Sequence, residues 1–368
     1  MSIPLIGVEE EYFLVDPRSW TPRPAGAQVV ATARETLTDR VCGEFTQYQV
    51  EVNTPPCADV KALRANLFGL RTAAAAAAAA SGGLRIYASG TPVVAGCAPG
   101  AVGDHPRYRA AVQQYRTMLD DFAICAVHVH VHQPDAEVAV LVGNHLRPWL
   151  PLLVALSANS PFDQGRDTGY ASWRAVIRSR FPCLGPPPYV ASVSHQRQLA
   201  EAMAESEAML DADTPYWDIR FNTRWSTLEI RSMDVNADID DTVALAVLVR
   251  AMVVVAAARV EAGDPGPRPC SELLRAAYWR AARDGWSGSG IDAMSGRIMP
   301  AAVQVRRLVD FVKPVLQAYG EFDLVTAFVR RLQARGGGAE RQRATAMRNG
   351  VLISVVDDLV NRTAAVRH

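Results

Sequence analysis

The sequence predicts an α+β protein in which an antiparallel or mixed sheet carries helices packed on one side. Three observations lead there. Several stretches alternate polar and apolar residues with the period of two that marks a half-buried strand. These stretches are separated by irregular lengths rather than by regular βα units. From Asp240 onward the pattern is almost wholly helical. With 368 residues, 49% hydrophobic and 21% charged, the chain is long enough for a large core or two smaller ones.

The first strand is Gly7-Val8-Glu9-Glu10-Glu11-Tyr12-Phe13-Leu14-Val15. Alternate side chains of an extended segment point to opposite faces, so Glu9, Glu11 and Phe13 share one side, and Val8, Glu10, Tyr12 and Leu14 the other. Glu10 therefore reads as structural. Two carboxylates projecting together need a compensating cation, and hard oxygen donors suit Mg²⁺ or Mn²⁺. Taken alone the stretch fits a solvated polar strand equally well, so partners elsewhere decide.

A helix is expected over Ala25 to Arg40, then a second strand from Gly43 to Thr54 closed by Pro55-Pro56. Its alternation places Gln47, Gln49, Glu51 and Asn53 on one face and Thr46, Tyr48, Val50 and Val52 on the other. Val60 to Ser81, with alanine at every position from 73 to 80, is the strongest helix signal in the chain, and Gly82-Gly83 stops it. Leu84 to Ser89 is a candidate strand, Gly90 to Asp104 a Gly- and Pro-rich loop, and Pro106 to Asp121 a helix. In Ala126 to His132 the alternation aligns His128, His130 and His132 on one face against Val127, Val129 and Val131. Three imidazoles in register are hard to bury without a metal or phosphate role.

Val138 to Ser157 is a helix that Pro148 and Pro151 break or kink. Asn159 to Val190 is loop-like and rich in arginine, including Arg166, Arg174, Arg178 and Arg180, whose guanidinium forks match phosphate or carboxylate. After a helix over Ser194 to Leu210, two strands follow, Tyr216 to Arg220 and Trp225 to Arg231. In the second, Thr227, Glu229 and Arg231 share a face, which can hold a metal and an anion side by side. The remaining helices are expected at Ser271 to Asp284, Ala301 to Ala318 and Phe322 to Ala334, with a last one after Gly338 running toward Ala365.

Composition narrows the function classes. Lys plus Arg equals Asp plus Glu at 38 each, so no global field recruits nucleic acid or an anionic membrane. The six cysteines are scattered without a C-x-x-C pair, which points to a reduced, cytoplasmic setting. The N-terminus lacks a basic region followed by an apolar run, so no secretory signal is read. Thr242 to Val260, the most apolar segment, contains Arg250 and Arg259 and reads as a buried helix.

At these same residues the chain resembles the carboxylate–amine ligase family, also called glutamate–cysteine ligase type 2, of the glutamine synthetase-like superfamily. The matching blocks are GVEEEYFLVD at Gly7 to Asp16, QVEVNTP at Gln49 to Pro55, HVHV at His128 to Val131 and RPWLPLLVALSANSPF at Arg147 to Phe162. They continue with GRDTGYASWR at Gly165 to Arg174, WDIR at Trp217 to Arg220, TLEIR at Thr227 to Arg231 and GAERQR at Gly338 to Arg343. The resemblance implies one glutamine synthetase-like domain over residues 1–368, mostly helical from about 240, with a curved antiparallel sheet and helices on its outer side. It implies a homodimer binding ATP and Mg²⁺ or Mn²⁺ on the concave face. The reaction implied is phosphorylation of a carboxylate, most simply the γ-carboxyl of L-glutamate, followed by attack of an amine such as L-cysteine on the acyl phosphate.

By position in those motifs, Glu9, Glu11, Glu51, His128 and Glu229 are the expected metal ligands, with Glu51, Glu229 and Arg231 the catalytic set. Arg231, Arg180 and Arg341 are expected at the nucleotide, and Gln47, His130 and Arg174 at the substrates. His132 and Phe221 to Trp225 depart from the family pattern and bear on the choice of amine. Two other readings remain open: a metal-dependent hydrolase built on His128 and His130, and a same-fold kinase or nucleotide-binding relative that does not ligate.

Overall fold

The computed structural model describes residues 3–364. In chain order it contains β1 (Ile6–Val15), α1 (Gly26–Leu37), β2 (Val41–Gly43), β3 (Gln49–Asn53), α2 (Val60–Ala80), β4 (Arg85–Tyr87), α3 (Pro106–Tyr115) and β5 (Ala126–His132). Then come α4 (Ala136–Leu146), α5 (Leu150–Ser157), β6 (Phe162–Asp163), β7 (Arg166–Asp167), α6 (Trp173–Ser179), α7 (Val193–Glu205), β8 (Ile219–Asn222) and β9 (Thr227–Asp234). The last part holds α8 (Ile239–Glu261), α9 (Ser271–Asp284), β10 (Ser289–Ile291), β11 (Ile298–Pro300), α10 (Ala301–Ala318), α11 (Phe322–Arg335), α12 (Gly338–Asn349) and α13 (Ile353–Thr363).

Seven strands form one antiparallel sheet in the order β2-β3-β1-β5-β9-β8, with β4 pairing the C-terminal end of β1 that β5 leaves free. Irregular connections carry the chain between these strands, which agrees with the expected α+β class and antiparallel sheet. The pleat sorts the side chains. Val8 of β1, Val127, Val129 and Val131 of β5, and Leu228 and Ile230 of β9 join one core with α4, α5, α8, α10 and α11. Helix α8 is apolar nearly all round because it lies inside this layer; it and the Ala136–Ser157 stretch are long and apolar enough to span a membrane, and both are mostly buried here.

Several elements differ from their expected form, each for a local reason. The segment read as one strand over Gly43 to Thr54 is a hairpin, β2 and β3, turning through residues 44–48. Pro148 and Pro151 divide the expected 138–157 helix into α4 and α5, with a 3-10 turn at Arg147–Trp149 between them. The arginine-rich loop contains a short hairpin, β6 and β7, and helix α6. The chain after Gly338 forms two helices rather than one, α12 closing on Gly350 with positive φ; the expected end at Ala365 lies outside the described residues. The opposite face of the sheet is covered as well: Phe45, Phe181, Met209 and Trp217 pack with α3 and α7 into a small apolar cluster of their own.

Glu10 shows how strictly the pleat is enforced. It points into the helix layer, fully buried, where Arg71 of α2 donates to Oε2 from Nε at 2.9 Å and to Oε1 from a second nitrogen. Thr242 donates to Oε1 at 2.8 Å, Tyr12 to Oε2 at 2.6 Å, and Arg71 also reaches the carbonyls of Asn236 and Ala237. The pair ties β1, α2 and α8 together. Removing one partner of such a pair strands a buried charge, at a cost of about 3–5 kcal/mol. Arg71→Met is therefore expected to lower the unfolding free energy in urea by that amount, and Arg71→Met with Glu10→Leu to recover part of it; a single-variant loss below about 1 kcal/mol contradicts the assignment.

Candidate active site

The register of the sheet builds the site row by row. In one row Cys42 of β2 pairs with Glu51 of β3, which pairs with Glu11 of β1. In the next, Asn53 of β3 pairs with Glu9 of β1, and Glu9 with His128 of β5. In the third, Gly7 of β1 pairs with His130 of β5, His130 with Glu229 of β9, and Glu229 with Arg220 of β8. Period-two alternation sends all these side chains to the face opposite Glu10.

A bulge in β9 completes the arrangement. Val127 faces Met233 and Val129 faces Ile230, so Arg231 and Ser232 together oppose the single His128. The extra residue returns Met233 to the helix-side core while Arg231 stays on the carboxylate face, its backbone N–H donating to the Asp218 carbonyl at 2.8 Å. Bulges of this kind re-aim side chains beside active sites.

Two groups of ligand atoms result. Glu9, His128 and Glu229 place one oxygen or nitrogen each within 4.8 Å of one another, and so do Glu11, Glu44 and Glu51. They are compensated very differently. In the first group, His128 Nδ1 lies 2.9 Å from Glu9 Oε2 and His130 Nε2 lies 3.1 Å from Glu9 Oε1, while Arg220 donates to Glu229 Oε2 at 2.7 and 3.0 Å and Arg231 donates to Oε1. Burial pushes Glu229 up, but Arg231 and Arg220 outweigh it and bring its carboxyl down to about 2. Burial likewise opposes Glu9, and the two histidines hold it well below the usual carboxylate range.

Among the described residues the second group has no cation bonded to it as closely: His128 Nε2 stands 3.8 Å from Glu11 Oε1, and Arg174 and Arg231 act on Glu11 only through space. Its hydrogen bonds come from a thiol, an amide and a backbone N–H: Cys42 Sγ at 3.1 Å and Asn53 Nδ2 at 3.1 Å from Glu51 Oε1, and Ala126 N donating to Glu11 Oε2 at 2.8 Å. Burial, then the charge of Glu44, raises Glu11 to about 8; burial and its three acidic neighbours raise Glu51 well above the usual carboxylate range, and Glu44 is raised too. Like charges this close repel by about 4 kcal/mol per pair at an effective dielectric of 20. An all-oxygen donor set under that strain fits a hard divalent cation, and the first group's mixed oxygen and imidazole set fits one equally.

Beside these groups is a cavity of about 120 Å³ between the sheet and the α3/α7 cluster, lined among others by Glu11, Glu44, His128, Arg174, Arg178 and Arg231. Arg174, 1% exposed, donates to the carbonyls of Arg231 and Ser232 and leaves its Nε without a partner among the described residues. Burial and the neighbouring Arg178 bring its guanidinium down to about 10.

The structure thus brings together Glu9, Glu11, Glu51, His128, His130, Glu229, Arg231 and Arg174, and places three other candidates elsewhere. Gln47 accepts from Ala27 N at 2.9 Å at the start of α1, because the hairpin turn takes it off the Glu51 face. Arg180 is held by both oxygens of Asp121 at 2.9 and 2.7 Å, outside the cavity lining. Arg341 binds Asp241 at 3.0 Å beside the start of α8. His132 is exposed at the end of β5. Two residues escaped the sequence reading. Glu44 precedes the turn whose irregular backbone resets the alternation, and Arg220 becomes visible only once the β8–β9 register is known.

An antiparallel sheet that gathers two groups of candidate cation ligands beside an arginine-lined cavity defines, together with the likenesses below, a class: the ATP-dependent carboxylate–amine ligases. The chain belongs to glutamate-cysteine ligase family 2, whose sequence profile matches residues 5–358. It is 41% identical over 360 residues, 97% of this chain and 94% of the other, to a Saccharopolyspora erythraea protein provisionally named glutamate–cysteine ligase 2-1. It is 40% identical to a namesake from Nocardia farcinica, over 93% of this chain and 88% of that one. Among solved structures, the glutamate–cysteine ligase of Francisella tularensis in complex with AMP superposes with a TM-score of 0.72 at 12% identity, covering 99% of this chain and 89% of that one. The ligase PafA, solved with the ubiquitin-like protein Pup, gives 0.54 at 13% identity, covering 98% and 73%. The hydrolase reading falls with the fold, because the sheet is antiparallel rather than eight repeated βα units and both histidines are engaged with Glu9.

The crowded, buried carboxylates set a pH dependence. Glu11 titrates near 8 in the fold against an ordinary 4.5, so the metal-free fold retains a proton that the unfolded chain gives up; the stability this supplies is full below pH 4.5 and lost as the pH rises through 8. His130, which burial lowers but Glu9 raises further, acts in the same direction. Neutral His128, brought by burial and Arg231 to about 3, loses its contribution only as the pH falls below 6.5. Between pH 6.5 and 8, in EDTA, the thermal midpoint is therefore expected to fall. Mg²⁺ should raise it most at the alkaline end, and Glu11→Gln should flatten the profile. A level metal-free profile in the unmodified protein contradicts this electrostatic account.

Proposed function

We propose that the chain forms an amide between the γ-carboxyl of L-glutamate and an amine, at the expense of ATP and with Mg²⁺ or Mn²⁺. The observation that carries the proposal is the convergence of six ligand side chains, Glu9, Glu11, Glu44, Glu51, His128 and Glu229, into adjacent groups beside Arg231. Divalent ions held there would neutralise the nucleotide phosphates and the charge that develops on phosphoryl transfer.

The chain's own groups do the rest. Arg231, fixed by the bulge and lining the cavity, compensates negative charge spreading over the equatorial oxygens of the transferred phosphoryl group. Arg220 keeps Glu229 ionised and oriented, and His130 does the same for Glu9. Arg174 offers a buried guanidinium with a free N–H to a substrate carboxylate. The α3/α7 cluster closes over the carboxylate face and keeps water from hydrolysing the acyl phosphate. Six free cysteines agree with a cytoplasmic setting, and one catalytic domain acting as a homodimer completes the proposal.

Hydroxylamine should trap the activated acid as a hydroxamate in a reaction that requires ATP, Mg²⁺ and L-glutamate. Arg231→Lys should lower kcat by about 10²–10³-fold with a much smaller change in the KM for ATP, as expected for a group that acts on developing charge. Unchanged turnover in Glu229→Ala contradicts the site, and a stable phosphorylated acid that never yields amide makes the chain a kinase instead.

A further inference from the structure

The cavity has two unlike ends. Its sheet end is polar, set by Glu11, Glu44, His128, Arg174 and Arg231. Its other end is mostly apolar, walled by Phe45, Tyr108, Leu119, Phe122, Phe181 and Leu210 from the β2–β3 turn, α3 and the chain just after it, and the segments before and after α7, with Arg107 bonded to Tyr216 at 2.6 Å on the same lining. The rings form a continuous edge-to-face chain, Phe45 against Phe122 at 5.7 Å between centroids and Phe122 against Phe181 at 5.0 Å, so the wall is preformed rather than collapsed at random.

Among the described residues this end contains no free acid. The carboxylates lining the cavity there are Glu11 and Glu44, both in the candidate cation-ligand group, and nearby Asp211 is already bonded to Arg107 and Thr214. A second ammonium group there would be left without an acceptor, at a cost that an apolar group avoids. The reacting carboxylate and the nucleotide phosphates are drawn to the cations and arginines. The body of the amine has no claim on the metals, and the apolar wall is a surface that fits it.

We propose that the acceptor is an amine with a branched apolar or aromatic body, seated against the Phe45–Phe122–Phe181 wall, rather than one as small as cysteine. The inference rests on the ligase reading above and sharpens it by naming a substrate class. Filling a pocket of ring size discriminates against a one-sulfur side chain by about 10²-fold in kcat/KM.

The test fixes the acid as whichever amino acid yields a hydroxamate, then measures ADP release with L-phenylalanine, L-leucine, phenethylamine, L-cysteine and glycine. The expected result is a preference of about 10²-fold for one of the first three over the last two. Phe181→Ala should reduce that preference at least about tenfold and Phe181→Leu by less, the second variant guarding against a folding defect. Hydroxamate formation together with a preference for cysteine or glycine overturns the inference and leaves the ligase reading intact. So does a preference unmoved by either Phe181 variant. Absence of hydroxamate with every acid removes the ligase reading, and the acceptor class with it.

Discussion

Three consecutive glutamates in the central strand are the constraint on which the rest depends. An extended chain cannot place Glu9, Glu10 and Glu11 on one face, so the pleat divides them: two toward the cavity and one into the helix layer. The inward glutamate is made tolerable by a fully bonded arginine, which in turn fixes α2 and α8 against the sheet. The outward pair is thereby locked in register with Glu51 and His128. A slip of one residue would drive Glu9 and Glu11 into the apolar layer and expel Val8, so a single arrangement is strongly favoured.

That arrangement sets up an electrostatic asymmetry across the carboxylate face. On the β8 side, arginines and histidines keep Glu9 and Glu229 ionised; on the β2 side, Glu11, Glu44 and Glu51 crowd together, and the more distant pull of Arg174 and Arg231 does not offset their burial and mutual repulsion. One half of the site is thus a self-consistent charged network, and the other half is a crowded set of carboxylates that a divalent cation would relieve. Catalysis of phosphoryl transfer asks for such division, since fixed cations of the chain act where charge develops while mobile ones arrive with the nucleotide.

The parts of the site legible in the sequence are those governed by strand alternation. Glu9 with Glu11, His128 with His130, and Glu229 with Arg231 each lie within one regular strand, and the period of two is enough to group them. Glu44 and Gln47 mark where that reasoning stops: the backbone between β2 and β3 turns, the phase is lost, and Glu44 enters the site while Gln47 leaves it. Arg220 depends on cross-strand register, and Arg180 and Arg341 on which acid each guanidinium meets in space; none of these is encoded in local spacing. The helices were legible in extent but not in their breaks, which fall at prolines and at Gly350. The cover over the carboxylate face is assembled from distant segments with weak amphipathic patterns, and no periodicity announces it.

The central claim is that two neighbouring cation sites share this face. Titration of the metal-free protein with Mn²⁺, followed by electron paramagnetic resonance, tests it directly. The account predicts at least two ions per chain with spin coupling between them, one weakened selectively by Glu44→Gln and the other by His128→Ala. Isolated, uncoupled Mn²⁺ signals that neither substitution alters would contradict it.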